Sequence, residues 1–181
     1  MALAREDLKS FQARLAERLR VAREQGADAA WLAVSIRGMR CLFPLSHTNE
    51  VLPPLDMLAV PYVKTWFLGA VTARGRVYGV VDLSRFWTQG KDTLHAVEIG
   101  ENPHLNYSFI SLNPELGVNC VLKVDTVFGL RSHKNFESAS DPPLSAPQCW
   151  RAVYSDPSGV TWQEINLQGL VQSPQFLSIS E

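Results

Sequence analysis

Cysteine, histidine and net charge are all scarce in this chain, and no long hydrophobic run occurs in it. Its three cysteines, Cys41, Cys120 and Cys149, are odd in number and widely separated, which excludes a disulfide framework and any paired metal or redox spacing. Reduced, partly buried thiols are expected. The four histidines, His47, His95, His104 and His133, match no metal-binding pattern and read as solvated loop residues. With 17 basic and 18 acidic side chains the net charge is −1, so no overall field draws the chain toward phosphate backbones or acidic lipid. Nucleic acid is excluded as a partner class. Charged and apolar residues alternate from Met1 to Asp7 and beyond, leaving no signal peptide and no membrane span. The expected location is the cytoplasm, without direct membrane insertion.

Familiar catalytic patterns are missing too. No serine has a glycine-flanked elbow, and no phosphate-cradling glycine loop runs into a helix. Asp92, Glu98 and Glu101 are unpaired carboxylates in a polar stretch, and Cys120 sits within a strand pattern, where a core role is the default. No catalytic residue, cofactor or metal ligand is assigned. A binding module fits better than an enzyme.

What the chain does have is apolar material, 46% of its residues, enough for a real core over 181 residues. Leu8, Phe11, Leu15, Leu19 and Ala22 recur at spacings of three and four, predicting an amphipathic helix over residues 3–25 that Gly26 stops. It packs on its own domain or docks a partner. Residues 1–27 therefore form one unit, followed by a β-rich domain over 28–181.

Within that domain, Trp31–Ile36 and Met39–Leu45 read as a hairpin around Arg37-Gly38. Pro53, Pro54 and Pro61 predict a loop or edge excursion over 53–65, because proline lacks the amide a central ladder needs. Two apolar runs then meet at the tight turn Arg74-Gly75, giving a second hairpin over residues 66–83. Residues 88–106 are polar and divide the domain. Strands follow at 107–112 and 118–124, the second continuing or bending away through 125–130. A mobile surface loop is expected over 132–148 because apolar residues are few there. A last hairpin spans Cys149–Tyr154 and Val160–Ile165, and Asn166–Val171 reads as a short closing helix. Gly69, Gly75 and Gly79 mark turns or places of close backbone approach.

Val60-Pro61, Phe67, Gly69-Ala70-Val71, Arg74-Gly75 and Val80-Val81-Asp82-Leu83 resemble the core-hairpin motif of CheW-like domains. Leu45–Leu52 resembles the family strand that ends in a glutamate-aliphatic pair, with Glu50 at the family spacing from Gly69 and Arg74. The run Gly117–Leu130 resembles the second-lobe motif. Thr72-Ala73 and Asn119 depart from the pattern. The similarity spans about residues 30–171. The long leading helix, the aromatic Trp66-Phe67-Leu68-Gly69 and Tyr78–Asp82 sequences, and the Trp162 to Phe176-Leu177 segment look most like the PilI branch, the adaptor of systems controlling type IV pili.

The resemblance implies two SH3-like five-stranded β-barrel lobes around a shared apolar core. It further implies a non-enzymatic adaptor coupling the regulatory domain of a CheA-like histidine kinase to the cytoplasmic tip of a methyl-accepting chemoreceptor. Such an adaptor is recruited to the inner face of the membrane through receptor arrays, and controls twitching motility if the branch holds. Partner contact is assigned to Glu50, Gly69, Arg74 and Gly75, with Arg74 first because its fork can grip a carboxylate or carbonyl. Asp82 is expected to cap its own turn. The alternative is a β-barrel protein that holds a small ligand between its lobes, built on Trp31, Phe43, Trp66, Tyr78 and Phe109.

Overall fold

The computed structural model describes residues 30–88 and 107–180. The helix expected over 3–25, and all but the first residue of the polar stretch 88–106, lie outside these residues.

Hairpins built on left-handed turns organise the described chain. Strands β1 (Trp31–Ile36) and β2 (Met39–Pro44) meet at Arg37 and Gly38, with φ of 47° and 81°. Strands β5 (Phe67–Ala73) and β6 (Arg76–Val81) meet at Arg74 and Gly75, with φ of 48° and 74°. Positive φ at both central residues is the two-residue turn whose twist matches that of the strands it joins. The second hairpin stops at Val81, short of its expected end. Asp82 then caps helix α1 (Leu83–Trp87), its Oδ1 accepting the backbone N–H groups of Ser84 and Arg85.

The remaining strands are β3 (Thr48–Leu52), the two-residue edge strand β4 (Met57–Leu58), β7 (Ser108–Leu112), β8 (Cys120–Val124), β9 (Thr126–Arg131), β10 (Ser138–Ser140), β11 (Trp150–Ser155) and β12 (Thr161–Ile165). Helices α2 (Leu167–Val171) and α3 (Pro174–Leu177) follow, capped by the side chains of Asn166 and Ser173. The segment 132–148, expected to be a mobile loop, instead contains a one-turn helix at His133–Asn135 and the strand β10. An edge strand needs only backbone partners, and β11 supplies them from Val153 to Ser155.

Two six-stranded sheets result, ordered β10-β11-β12-β2-β1-β9 and β3-β7-β8-β6-β5-β4. Each has the same plan, two hairpins joined at a central parallel pair, β2 with β12 and β6 with β8. The sheets have six strands rather than the expected five, because β10 and β4 extend their edges. The chain does not divide between them near 88–106 either. After β2 it crosses to the second sheet, where β3 pairs with β7, and after β8 it returns, so that β9 pairs with β1. Each lobe is thus built from both halves of the chain.

Period-two alternation distributes the apolar residues among three cores. On β1, Leu32, Val34 and Ile36 enter a large shared core between the sheets, while Trp31 and Ala33 point into a smaller core with Leu42 and Trp162. Val80 and Val121 fill the interior of the second lobe with Leu52, Val71 and Phe109, whereas their neighbours Val81 and Leu122 enter the shared core. Continuous apolar runs are the signature of strands buried on both faces. Trp66, fully buried in the shared core, stacks on Phe176 of α3 at 5.6 Å and meets Phe86 of α1 edge-on at 5.1 Å, tying both helices to the seam between the lobes.

Candidate binding surface

Three of the four residues assigned to partner contact come together at one end of the second lobe. Glu50 lies on β3 and Arg74 and Gly75 form the β5–β6 turn. In sheet order β3 and β5 are separated by three strands. A flat sheet would hold them about 19 Å apart at ordinary strand spacing. The sheet instead coils, and the Arg74 guanidinium grips the Glu50 carboxylate through two bonds, Nε to Oε2 at 3.0 Å and Nη2 to Oε1. Arg74, assigned to a partner contact, is therefore already engaged within its own chain. Its side chain is still 75% exposed, and its remaining N–H donors face solvent.

Glu50 is positioned by a residue that the sequence pattern did not single out. The β3–β7 ladder slips between Thr48 and Glu50. At that slip the buried Ser111 hydroxyl accepts the Glu50 N–H at 3.0 Å and donates to the Glu50 carbonyl at 3.3 Å. The signal available in the sequence was Ser111, a polar residue between the apolar Ile110 and Leu112 of β7.

Gly69 is the exception among the assigned residues. It is buried at the slip in the β5–β6 register, with φ of 147°, and a Cβ there would strike the carbonyl oxygen of Leu58 on β4. Its lack of a side chain lets β4 pack against β5 at this point. Gly79 also packs, with the ring of Phe67 lying where its Cβ would stand. Gly75 differs from both, having open space around it. Asp82 acts as the cap expected of it and additionally meets Arg85 at 3.5 Å and Arg37 at 3.9 Å.

Beside the Arg74 turn lies an apolar surface that motif reading missed. Leu58 is 73% exposed and Val77 63% exposed. Their cross-strand partners, Ala70 and Thr72, are two residues apart, so both side chains share the outward face of the β4–β5–β6 ribbon. Tyr62, at 85% exposure, stands on the loop that follows β4. Among the described residues no strand pairs with the outer edge of β4, which is flanked by Asp56 and by prolines on both sides, Pro53 and Pro54 before it and Pro61 after it.

Reactive groups do not gather anywhere comparable. Among the described residues no three His, Cys, Asp or Glu side chains come together as a metal site. Burial pushes the thiols of Cys41 and Cys120 up to about 12, and that of Cys149 up as well, which suppresses the thiolate. His133 packs edge-on against Trp31 at 4.4 Å. His47 is half-buried, its Nδ1 has no partner, and burial lowers its pKa against the opposing pull of Glu164. No helix among the described residues is long and apolar enough to cross a membrane.

Comparison with known proteins adds two findings. Residues 30–175 match the family model described as the CheW-like domain. The scaffolding protein TtCheW from Thermoanaerobacter tengcongensis superposes with a TM-score of 0.60 at 16% sequence identity, over 82% of this chain and 95% of that one. At that identity the likeness speaks for the fold alone. No curated protein matches the chain in sequence.

Proposed function

The chain belongs to the CheW-like domain family, and from that premise we propose that it is a non-enzymatic adaptor. In this reading it couples a CheA-like histidine kinase, through the kinase's regulatory domain, to the cytoplasmic tip of a methyl-accepting chemoreceptor. The observation that carries the reading is the exposed Arg74–Glu50 fork beside the apolar Leu58–Val77 face. A guanidinium with spare donors next to desolvatable apolar surface is the composition of an interface hot spot. Glu50, Arg74 and Gly75 form the polar part of the contact, and Leu58 and Val77 the apolar part. The leading-helix resemblance and the aromatic motifs support the PilI branch, with type IV pilus twitching motility as output. Receptor arrays then recruit the protein from the cytoplasm to the inner face of the membrane.

Packing counts against the alternative ligand-binding reading. Trp31, Phe43, Trp66 and Phe109, proposed to surround a ligand, are each no more than 3% exposed and fill the cores. Tyr78 packs against the second-lobe core.

Calorimetric titration with the regulatory domain of the CheA-like kinase from the same organism tests the proposal, using the natural chain and the Glu50→Lys and Arg74→Glu variants. Saturable binding by the natural chain, weakened in folded variants, supports it. No binding by the folded natural chain removes the adaptor reading.

A further inference from the structure

A cavity of about 480 Å³ opens at the seam between the lobes, away from the Arg74 surface. One wall is α1, which follows the second sheet, and the other is the segment 145–151 with α2 and α3, which flank the first sheet. Its size falls within the usual range for small-molecule sites. Phe86, Trp87 and Leu170 give it an apolar floor, and Trp87 is held in place edge-on against Trp150 at 5.7 Å. The rim is polar and its charge is one-sided. Arg151 lines the cavity, no carboxylate does, and Arg151 has no ion-pair partner among the described residues.

An apolar floor beside a guanidinium that has no ion-pair partner among the described residues selects a particular ligand chemistry. A cation is repelled by Arg151 and an uncharged acceptor gains only an ordinary hydrogen bond, whereas an anion gains a charge-assisted and directional bond there. We propose that this cavity binds a small organic anion, a carboxylate or sulfonate on an aromatic or branched apolar body. The apolar body lies against Phe86, Trp87 and Leu170, and the anionic group meets Arg151. This site is independent of the adaptor reading, since it shares no residue with the Arg74 surface.

The probe is 2-naphthoate, titrated calorimetrically into the full chain with no kinase or receptor present, alongside the cation 2-naphthylmethylammonium. Saturable one-to-one binding of the anion is expected, with the cation at least about tenfold weaker. Arg151→Gln is an exposed change that leaves the cores alone, and it should weaken naphthoate at least about tenfold, the scale of one charge-assisted bond. Ser145→Trp, also at an exposed position lining the cavity, should block binding by filling it. Absence of naphthoate binding, equal binding of the cation, or binding unchanged in both variants would each overturn the proposal.

Discussion

The carboxylate of Glu50 and the guanidinium of Arg74 form a two-point ion pair across a sheet in which three strands lie between β3 and β5. The pair closes one end of the coiled second lobe while the Arg74 side chain stays largely exposed. The structural role of the pair and its proposed binding role therefore fall on the same two residues, and experiment must separate them.

Arg74→Glu sets two carboxylates face to face, yet the pair is exposed enough that the loss of stability should be only about 0.5–1 kcal/mol. Urea unfolding measures this. The double exchange Glu50→Arg with Arg74→Glu restores the attraction and should recover most of that stability. Kinase binding should stay weak in the double variant, because the charge presented to the partner remains reversed. Recovery of binding together with stability would assign the pair a purely structural role.

Glycine substitutions should divide by surroundings. Gly69→Ala drives a Cβ into the Leu58 carbonyl at an unfavourable φ and should cost at least about 2 kcal/mol while loosening β4. Gly75→Ala has open space and bears only the left-handed backbone penalty, about 1 kcal/mol. Comparable losses in denaturant titrations would contradict the packing described here.

His47 predicts a pH dependence with a definite sign. Burial lowers its folded pKa below 6.5, so the unfolded chain binds more protons between that lowered value and 6.5. Stability should rise with pH through this window and level off above it, and His47→Gln should flatten the rise. Asp156 behaves oppositely in origin and lies elsewhere on the pH scale. Its carboxylate accepts the Trp162 indole N–H at 3.0 Å together with the N–H groups of Ser158 and Val160, which hold its pKa below 3.8. Its contribution is complete above 3.8 and is lost only as pH falls through the lower folded value. Denaturation midpoints measured against pH in natural, His47→Gln and Asp156→Asn chains distinguish the two windows.

The thiols should be inert. With Cys41 and Cys120 pushed up to about 12 and all three cysteines buried, a thiol reagent at neutral pH should react slowly with the folded chain and quickly in urea. Rapid labelling of Cys149 alone would show that the seam cavity opens in solution.

Local features were legible in the sequence where local chemistry decides them. Arg37-Gly38 and Arg74-Gly75 announced their hairpins because few residue pairs tolerate two left-handed conformations in succession. Asn166 marked the start of the closing helix, whereas Asp82 was read as capping its own turn and the helix α1 that it caps was not anticipated. The strand β10 was not legible, since its order comes from the backbone of β11 rather than from its own Ser138-Ala139-Ser140. Leu58 and Val77 escaped notice for a related reason, because apolar residues in strands are ordinarily buried and the outward face of the β4–β5–β6 ribbon leaves these exposed.

Spacing, turns and alternation in the chain thus determined its hairpins, its β class and its family, all of which depend on residues close in sequence or on a family pattern. The tertiary structure alone decided the exchange of strands between the sheets, the burial of Gly69 under β4, the meeting of Glu50 with Arg74 and the placing of Arg151 at the seam cavity. These depend on how a twisted sheet coils and which strands it pairs. Such pairings join residues far apart in the chain, and no local propensity encodes them.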